Sequence, residues 1–266
     1  MKNFKQMIAD QKAEVEEYRS IARSVTSKYL ARQQAVLGLL LTGSVARGDA
    51  RKGTYGLYID ITVVVEKRND INLSEIFGPS IEPYIPKHCI MVDDAGIAFE
   101  ITTMTELNGI RSNFESVIFS KQESIILFDR SGLLAEWKEN CFMLSDDDIK
   151  KRALQQYFRF DYLICDYRIE KWKHRAAWVQ MVQNGNEAME CYCNFLYCIN
   201  GWFIPRKDWL AYLTYDLQEK MPNHNNIMSD SYSVRATEQG VERRSEKFRE
   251  IEAWMKEYCL CKNWIS

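Results

Sequence analysis

This sequence of 266 residues lacks a long apolar run and lacks an excess of charge of one sign. No stretch approaches about 18 consecutive apolar residues, which excludes a transmembrane helix. Lysine and arginine number 35 against 37 acidic residues, so the net charge of -2 gives no overall field toward a polyanion. We therefore expect neither a membrane nor nucleic acid as a partner.

The N-terminal segment also lacks the continuous apolar core of a signal peptide, because residues 1–18 are amphipathic and rich in acidic residues. We therefore expect a cytoplasmic protein whose eight cysteines are reduced thiols. The pairs Cys191/Cys193 and Cys259/Cys261 are each two residues apart in helical runs, so neither pair shares a helix face. This spacing argues against a zinc site and for small buried residues. Histidine-based catalysis has few candidates, because the chain has three histidines.

The spacing of apolar residues changes near residue 143. Before it, apolar and β-branched runs of strand length alternate with helical patterns, whereas after it the patterns are long and helical. A chain of this length can hold two modest domains. We therefore predict an α+β domain with a mixed β-sheet over residues 1–143, followed by an all-α helical bundle over residues 144–266.

Apolar periodicity and turn residues predict the elements of both parts. In the first part they predict strands over residues 35–42, 58–66, 88–92, 97–104 and 124–128, and helices over residues 3–33, 105–115 and 133–140. They also predict a loop over most of residues 70–86 and a hairpin turn at Asp93–Gly96 between the third and fourth strands. In the second part they predict helices over residues 147–183, 186–200, 206–219 and 230–261, with turns at Asn184-Gly185, Asn200-Gly201 and Met221–Asn223. Ser145 and the three acidic residues after it predict the start of the first of these helices.

The most informative segment joins the first two predicted strands. The run Leu41-Thr-Gly-Ser-Val-Ala-Arg-Gly-Asp-Ala50 ends a buried strand in a Gly-Ser turn, and Tyr58-Ile-Asp-Ile-Thr62 follows after a polar loop. Backbone N–H groups and the Ser44 hydroxyl at such a turn can hold a phosphate, and Gly43 lets the ligand approach the backbone. Asp60, on the next strand, offers a carboxylate to a Mg²⁺ ion bound to the same triphosphate.

This segment resembles the nucleotidyltransferases of the DNA polymerase β superfamily, whose signature is a Gly-Ser turn, an Arg-Gly stretch and a strand carrying Asp-x-Asp. The resemblance rests on Gly43, Ser44, Arg47 and Gly48, and on Asp60 with the apolar residues after it. It implies ATP as co-substrate, Mg²⁺ as cofactor, and a nucleotide held by Gly43, Ser44 and Arg47.

The resemblance also implies that strand carboxylates hold the metal and activate the acceptor hydroxyl. Asp60 matches the second Asp of the pair, and Glu100 suits the third carboxylate because it lies within an otherwise apolar strand. Tyr58 stands where the first Asp belongs, and a phenol with a pKa near 10 is a poor Mg²⁺ ligand. The sequence thus leaves two possibilities open: transfer with one strong metal ion, or nucleotide binding without transfer.

The second part resembles the C-terminal helical bundles of antibiotic and small-molecule nucleotidyltransferases, over the run from Asn194 to Trp209. A basic cluster lies before it in Arg168, Lys171, Lys173, His174 and Arg175. Lys171 is our candidate for a contact with the triphosphate, as a point charge on a helix. The spacing of Arg168 and His174 also fits the Arg-x-His motif of HEPN-type ribonucleases, which keeps a nuclease as a minor alternative.

We expect from the sequence that this chain transfers a nucleotidyl group, AMP from ATP, to a hydroxyl of a small-molecule acceptor. Asp60 and Glu100 are the expected catalytic and metal-binding residues. The alternative is a weak or inactive nucleotide-binding module, such as a toxin–antitoxin or regulatory component. The third hypothesis is a purely structural helical adaptor. The acceptor and the oligomeric state have no signal in the sequence.

Overall fold

The computed structural model describes residues 4–51, 57–82 and 86–266, with the side chains of residues 4–10 excepted. The chain divides into two compact units, Met1–Phe142 and Met143–Ser266. The first contains a mixed β-sheet with helices, and the second is helical throughout its regular elements. This arrangement confirms the predicted fold class. Residues 52–56 of the loop that precedes Asp60, and Pro83 of the predicted 70–86 loop, lie outside the described residues.

The sheet of the first unit has the strand order β3-β4-β2-β1-β5 among the described residues. Only β2 and β4 run parallel, and the other neighbours are antiparallel. The bounds are β1 Val36–Thr42, β2 Tyr58–Val65, β3 His88–Val92, β4 Ala95–Thr103 and β5 Ile125–Asp129. Each of these strands was predicted, as was the hairpin between β3 and β4, whose turn places Asp93 and Asp94 at positive φ.

The first unit's core lies on one face of the central strands. Ile59, Ile61 and Val63 of β2 are fully buried there and pack in one cluster with the long helix α1, Phe4–Val25. Burying a side chain of this kind stabilises the fold by about 1.5–3 kcal/mol. Because side chains alternate along a strand, Asp60 and Thr62 point to the opposite face. The hydrophobic alternation of β2 therefore fixes where its polar residues go.

The remaining helices of the first unit are short. They are α2 Gly43–Arg47, α3 Leu73–Phe77, α4 Met104–Asn108, α5 Glu115–Gln122 and α6 Leu133–Cys141. The predicted helix over residues 105–115 is wrong, since α4 ends before Gly109 and α5 begins only at Glu115. Helix α5 was not predicted because its buried positions include a lysine, Lys121, which hides the apolar period.

The second unit contains six α-helices within its described residues 143–266. They are α7 Asp146–Ile164, α8 Asp166–Lys173, α9 Trp178–Ile199, α10 Lys207–Leu213, α11 His224–Tyr232 and α12 Glu238–Cys261. Ser145 caps α7 as predicted: its hydroxyl accepts from the Asp148 amide at 3.1 Å, and Asp148 in turn accepts from the Ser145 amide at 3.3 Å.

Three predictions for the second unit are wrong. The helix predicted over 147–183 breaks at Cys165 and again after α8, where Ala176 takes a left-handed φ of 48°. The turn predicted at Asn184-Gly185 lies instead inside α9. A Cβ on Gly185 would lie 2.8 Å from Arg244 Nη1, so tight packing requires this glycine, not a turn. The helix predicted over 230–261 is likewise divided between α11 and α12.

The cysteines and the membrane expectation can be compared with this fold. All eight cysteines are free thiols, and Cys191, Cys193 and Cys259 are buried as expected, whereas Cys261 is exposed. None of the helices described is both long and apolar enough to pass through a bilayer.

Candidate active site

The turn that follows β1 has an unusual backbone. Gly43 has a φ of +71° and Gly48 a φ of +95°, both in the left-handed region that favours glycine. Between them, the carbonyl of Ser44 accepts from the amides of Gly48, Asp49 and Ala50 at 2.9, 3.1 and 3.1 Å. The turn is therefore tightly closed by its own hydrogen bonds. The Ser44 side chain is half-buried at this turn.

Asp60 lies against this turn. Antiparallel pairing places Asp60 opposite Thr42, the last residue of β1. A Cβ on Gly43 would lie only 2.7 Å from Asp60 Oδ2. Gly43 is thus required for its backbone conformation and also for the space that the carboxylate occupies. Asp60 and the Gly43-Ser44 turn, which the sequence only suggested as partners, are in contact.

Glu100 shares the face of the sheet on which Asp60 lies. In the parallel register of β2 and β4, Glu100 is opposite Thr62, which is two residues beyond Asp60. Paired residues and residues two apart point to the same side of a sheet. The Glu100 side chain is 44% exposed. Two of the predicted acidic residues therefore lie on one face of neighbouring strands.

Two lysines neutralise these carboxylates. Lys87 Nζ lies 2.6 Å from Asp60 Oδ1, and Lys121 Nζ lies 2.9 Å from Glu100 Oε2. Lys121 also donates to Thr62 Oγ1 at 2.6 Å, and its side chain is only 5% exposed. Burial lowers the pKa of Lys121 despite the attraction of Glu100. Burial by itself raises the pKa of Glu100, but the charge and hydrogen bond of Lys121 outweigh it, and the net direction is down.

Sequence reasoning missed both lysines. Lys87 stands one residue before β3, and Lys121 lies near the end of the unpredicted helix α5. Neither belongs to a motif, and the contacts join residues 27 and 21 positions apart in the chain. The one available signal was a lysine between two apolar runs, Val117–Phe119 and Ile125–Phe128.

The donor set does not fit a Mg²⁺ ion as the side chains are arranged. Asp60 and Glu100 each bind an ammonium group at a position where a cation would have to sit. Tyr58, which stands where the first Asp of the pair belongs, donates its hydroxyl to Glu82 at 3.0 Å, and burial together with this bond raises the pKa of the phenol. Among the described residues no three acidic, histidine or cysteine side chains are gathered to hold a metal. The Mg²⁺ requirement therefore stays a prediction without support in this geometry.

Arg47 is engaged inside the first unit. Its Nη1 lies 2.9 Å from Glu123 Oε1 and its Nε lies 3.2 Å from Asp49 Oδ1. The three side chains are 14%, 5% and 13% exposed respectively. The backbone of Gly43 also hydrogen-bonds to Glu123. Arg47 thus links the turn to the residue after α5, and its predicted contact with nucleotide stays a prediction.

The pKa of Glu123 reflects this burial. Burial raises its pKa to about 7, against the lowering effects of Arg47 and the Gly43 hydrogen bond, while the negative charge of Asp49 adds to the rise. Lys138, whose pKa burial lowers, is the other cation near Glu123. Glu123 therefore holds its proton in the folded state at pH values where an exposed glutamate has lost it.

This shift predicts a pH dependence of stability. Between about pH 4.5 and 7 the folded state keeps a proton on Glu123 that the unfolded chain has released, so stability falls as pH rises through that range. The full shift corresponds to about 3 kcal/mol. We expect the difference in unfolding free energy between the wild type and Glu123→Gln, from urea titrations, to change by that order across the range. A constant difference from pH 4.5 to 7 would contradict the raised pKa.

The basic residues of the second unit have different surroundings. Lys171 lies on α8 with its ammonium 5.0 Å from the Trp172 ring centroid, and its predicted triphosphate contact stays a prediction. His174 is 80% exposed and lies 3.8 Å from Glu170. Arg168 instead packs its guanidinium over Tyr162. The two residues of the Arg-x-His spacing therefore have separate partners.

The chain was compared with family models, curated proteins and solved structures. No family model matches the chain, and no curated protein matches it. Among solved structures it is similar to a nucleotidyltransferase-like protein from Exiguobacterium sibiricum 255-15, with 11% sequence identity. That match covers 87% of this chain and 73% of the other, with a TM-score of 0.43.

Proposed function

We propose that the first unit binds a nucleoside triphosphate, ATP by preference, beside the Gly43-Ser44 turn, and that lysine takes the place of a metal ion there. The observation that carries the proposal is the Lys87–Asp60 ion pair at the turn, with Nζ and Oδ1 2.6 Å apart. Lys87 is 31% exposed, so its ammonium can also reach a phosphate oxygen. A phosphate at the turn would thus meet a fixed positive charge.

The turn itself supports a phosphate ligand. The first amides of a helix have no partner within the helix, and here the Gly43 amide is the one engaged by Glu123. The following amides and the Ser44 hydroxyl are then the groups offered to a phosphate. Lys121, being buried, acts on the ligand only by holding Glu100 in place.

Transfer of AMP from ATP to a hydroxyl of a small-molecule acceptor is the second candidate. It is favoured by the common face of Asp60 and Glu100, the two side chains to which the resemblance gives catalytic roles. For transfer, the ion pair of one carboxylate with its lysine would have to break so that the carboxylate could contact the reacting groups. Lys87, more exposed than Lys121, is the one that can leave. The eight free thiols support a cytoplasmic setting for either activity.

Calorimetry with ATP separates the candidates. We expect ATP to bind with the same affinity, within about twofold, in Mg²⁺ and in EDTA, because the cation of the site is a lysine. Pyrophosphate release with a panel of hydroxyl acceptors then tests transfer. Metal-independent binding without release supports the binding module. Release that requires Mg²⁺ supports the transferase, and the absence of any ATP binding excludes both.

Gly43→Ala tests whether the turn is the binding site. The new methyl group would lie 2.7 Å from Asp60 Oδ2 and displace the carboxylate with its lysine. We expect ATP affinity to fall at least about tenfold, equal to 1.4 kcal/mol. Gly132→Ala is the matched control, since Gly132 also has a positive φ of 78° but no atom within 4 Å of the added methyl. Equal affinities of the two variants would place the nucleotide elsewhere.

A further inference from the structure

The second unit contains a pocket that the proposed function does not use. Its water-accessible volume is about 30 Å³, or about 400 Å³ when the open solvent at its mouth is counted, and it lies between helices α7, α8, α9 and α12. Its walls are mostly apolar, with Leu163, Met181, Val182, Val241 and Phe248 among them. Charged groups in such surroundings interact more strongly than they do in water.

A buried arginine without a counter-charge lines this pocket. Arg244 is only 3% exposed. Its Nη1 donates to the Val182 carbonyl at 3.1 Å and its Nη2 to Asn186 Oδ1 at 2.7 Å, both of which are neutral acceptors. Its Nε is buried and has no hydrogen-bond partner among the described residues. Burial lowers the pKa of Arg244 to about 10, although the guanidinium stays charged at neutral pH.

Two further residues with N–H donors, Arg168 and Trp172, line the same pocket. Their Nε and Nε1 atoms are buried and, within the described chain, likewise have no hydrogen-bond partner. The far end of Arg168 is held by Tyr162, which accepts from Nη1 and stacks under the guanidinium at 4.3 Å. Three N–H groups, two of them on cations, therefore lack acceptors. Leaving a buried donor without a partner costs about 1–3 kcal/mol, and more for a charged group.

The space for the arginine is maintained by Gly185. A Cβ at this position would lie 2.8 Å from Arg244 Nη1 and 3.0 Å from Phe248 Cε2. Glycine inside a helix costs about 1 kcal/mol relative to alanine. The chain thus accepts a helix-weakening residue in the middle of α9 at the point where it admits a buried cation.

Acidic residues of α7, α8 and α12 lie in a neighbouring pocket. Asp161, Asp166 and Glu252 line that pocket, which shares Ile164 and Ile169 with this one. There Glu252 hydrogen-bonds with Asp161, and Asp166 lies 3.9 Å from Arg249. In residues 143–266, all of which are described, no ion pair joins these carboxylates to Arg168 or Arg244. The guanidinium groups of Arg168 and Arg244 can therefore pair with an anionic ligand.

We infer that this pocket binds a small oxyanion, the phosphate or carboxylate group of a small molecule, through the Nε–H groups of Arg168 and Arg244 and the indole N–H of Trp172. An oxyanion can accept from all three donors and brings negative charge to the two guanidinium groups, whereas a water molecule accepts at most two hydrogen bonds and brings no charge. This site lies in the second unit and does not depend on the nucleotide site of the first.

Titration with inorganic phosphate and with acetate, at constant ionic strength, tests the inference. We expect one of them to bind with a Kd of about 1 mM or tighter. We also expect it to shift the indole ¹H–¹⁵N resonance of Trp172, assigned by its loss in Trp172→Phe. The anion that binds tells a phosphate ligand from a carboxylate ligand. Binding of neither anion, or binding that leaves the Trp172 resonance unmoved, would overturn the inference.

Variants locate the binding. Arg244→Met should weaken it at least about tenfold, because a hydrogen bond to a charged group is lost together with a charge. Arg249→Met is the control, since Arg249 is on the same helix, 71% exposed and away from this pocket. If Arg244→Met fails to fold, Trp172→Phe keeps most of the packing and should weaken binding severalfold. If Gly43→Ala loses affinity for the anion and Arg244→Met does not, the anion binds in the first unit and the inference is overturned.

Discussion

Replacing Arg47 with methionine is expected to lower the free energy of unfolding by about 3–5 kcal/mol at about pH 8.5, the cost of breaking a buried ion pair. The loss is large because the guanidinium forms ion pairs with two buried carboxylates, Glu123 and Asp49. At about pH 5.5 the loss should be smaller, since Glu123, with its pKa near 7, then carries a proton and needs no counter-charge. Urea unfolding at the two pH values measures both numbers.

Two control variants make this result specific. Arg47→Met combined with Glu123→Gln should recover part of the loss at the higher pH, because the unpaired carboxylate is removed. Arg68→Met should cost less than about 1 kcal/mol, since Arg68 and its partner Glu106 are 58% and 44% exposed. A loss in Arg47→Met that equals that of Arg68→Met, or that does not depend on pH, would contradict a structural role for Arg47.

The second large effect concerns the metal ion that the family resemblance implies. Lys87→Met together with Lys121→Met should raise the affinity for Mn²⁺, a spectroscopic substitute for Mg²⁺, at least about tenfold. A lysine ammonium and one positive charge of a metal ion about 4 Å away repel each other by about 4 kcal/mol at the effective dielectric constant of a protein surface. The double variant removes this repulsion beside Asp60 and Glu100. Methionine keeps the volume of each side chain. Electron paramagnetic resonance of free Mn²⁺ measures the affinity.

The control for this experiment is Lys247→Met, which removes a lysine from a surface pair with Glu250 and should leave Mn²⁺ affinity unchanged. Lys87→Met alone is available if the double variant is unstable, because Lys87 is only part-buried. Tight Mn²⁺ binding by the wild type, lost in Asp60→Asn, would show that the lysines yield to a metal. That outcome would favour the transferase over the binding module.

Much of the first unit follows from local pattern. The alternation of buried and polar residues in β2 puts Ile59 and Ile61 on the core face and Asp60 on the other, whatever the strand pairs with. The glycine of the Gly-Ser turn has the positive φ that its position after β1 requires. The hairpin of β3 and β4 is predicted by Asp93–Gly96. These features depend on neighbours in the chain, so the sequence reveals them.

Packing overrode local pattern where the two conflicted. The Asn184-Gly185 pair predicts a turn, but Gly185 lies inside α9 because Arg244 occupies the space that a side chain would need. Helix α5 was missed because one of its buried positions carries the charged Lys121. A buried lysine is tolerated only with a carboxylate partner, and that partner is on another strand.

The sequence by itself determined the class of fold, the Gly43-Ser44 turn and the choice of Asp60 and Glu100 as the acidic residues of interest, because each depends on residue type and short-range spacing. Only the tertiary structure decided their partners: Lys87 and Lys121 on the carboxylates, Glu123 on Arg47, and the unmatched donors around Arg244. An ion pair or an unpaired donor is set by distances in space between residues far apart in the chain. Arg47 and Glu123, 76 positions apart, have no local signature that would join them.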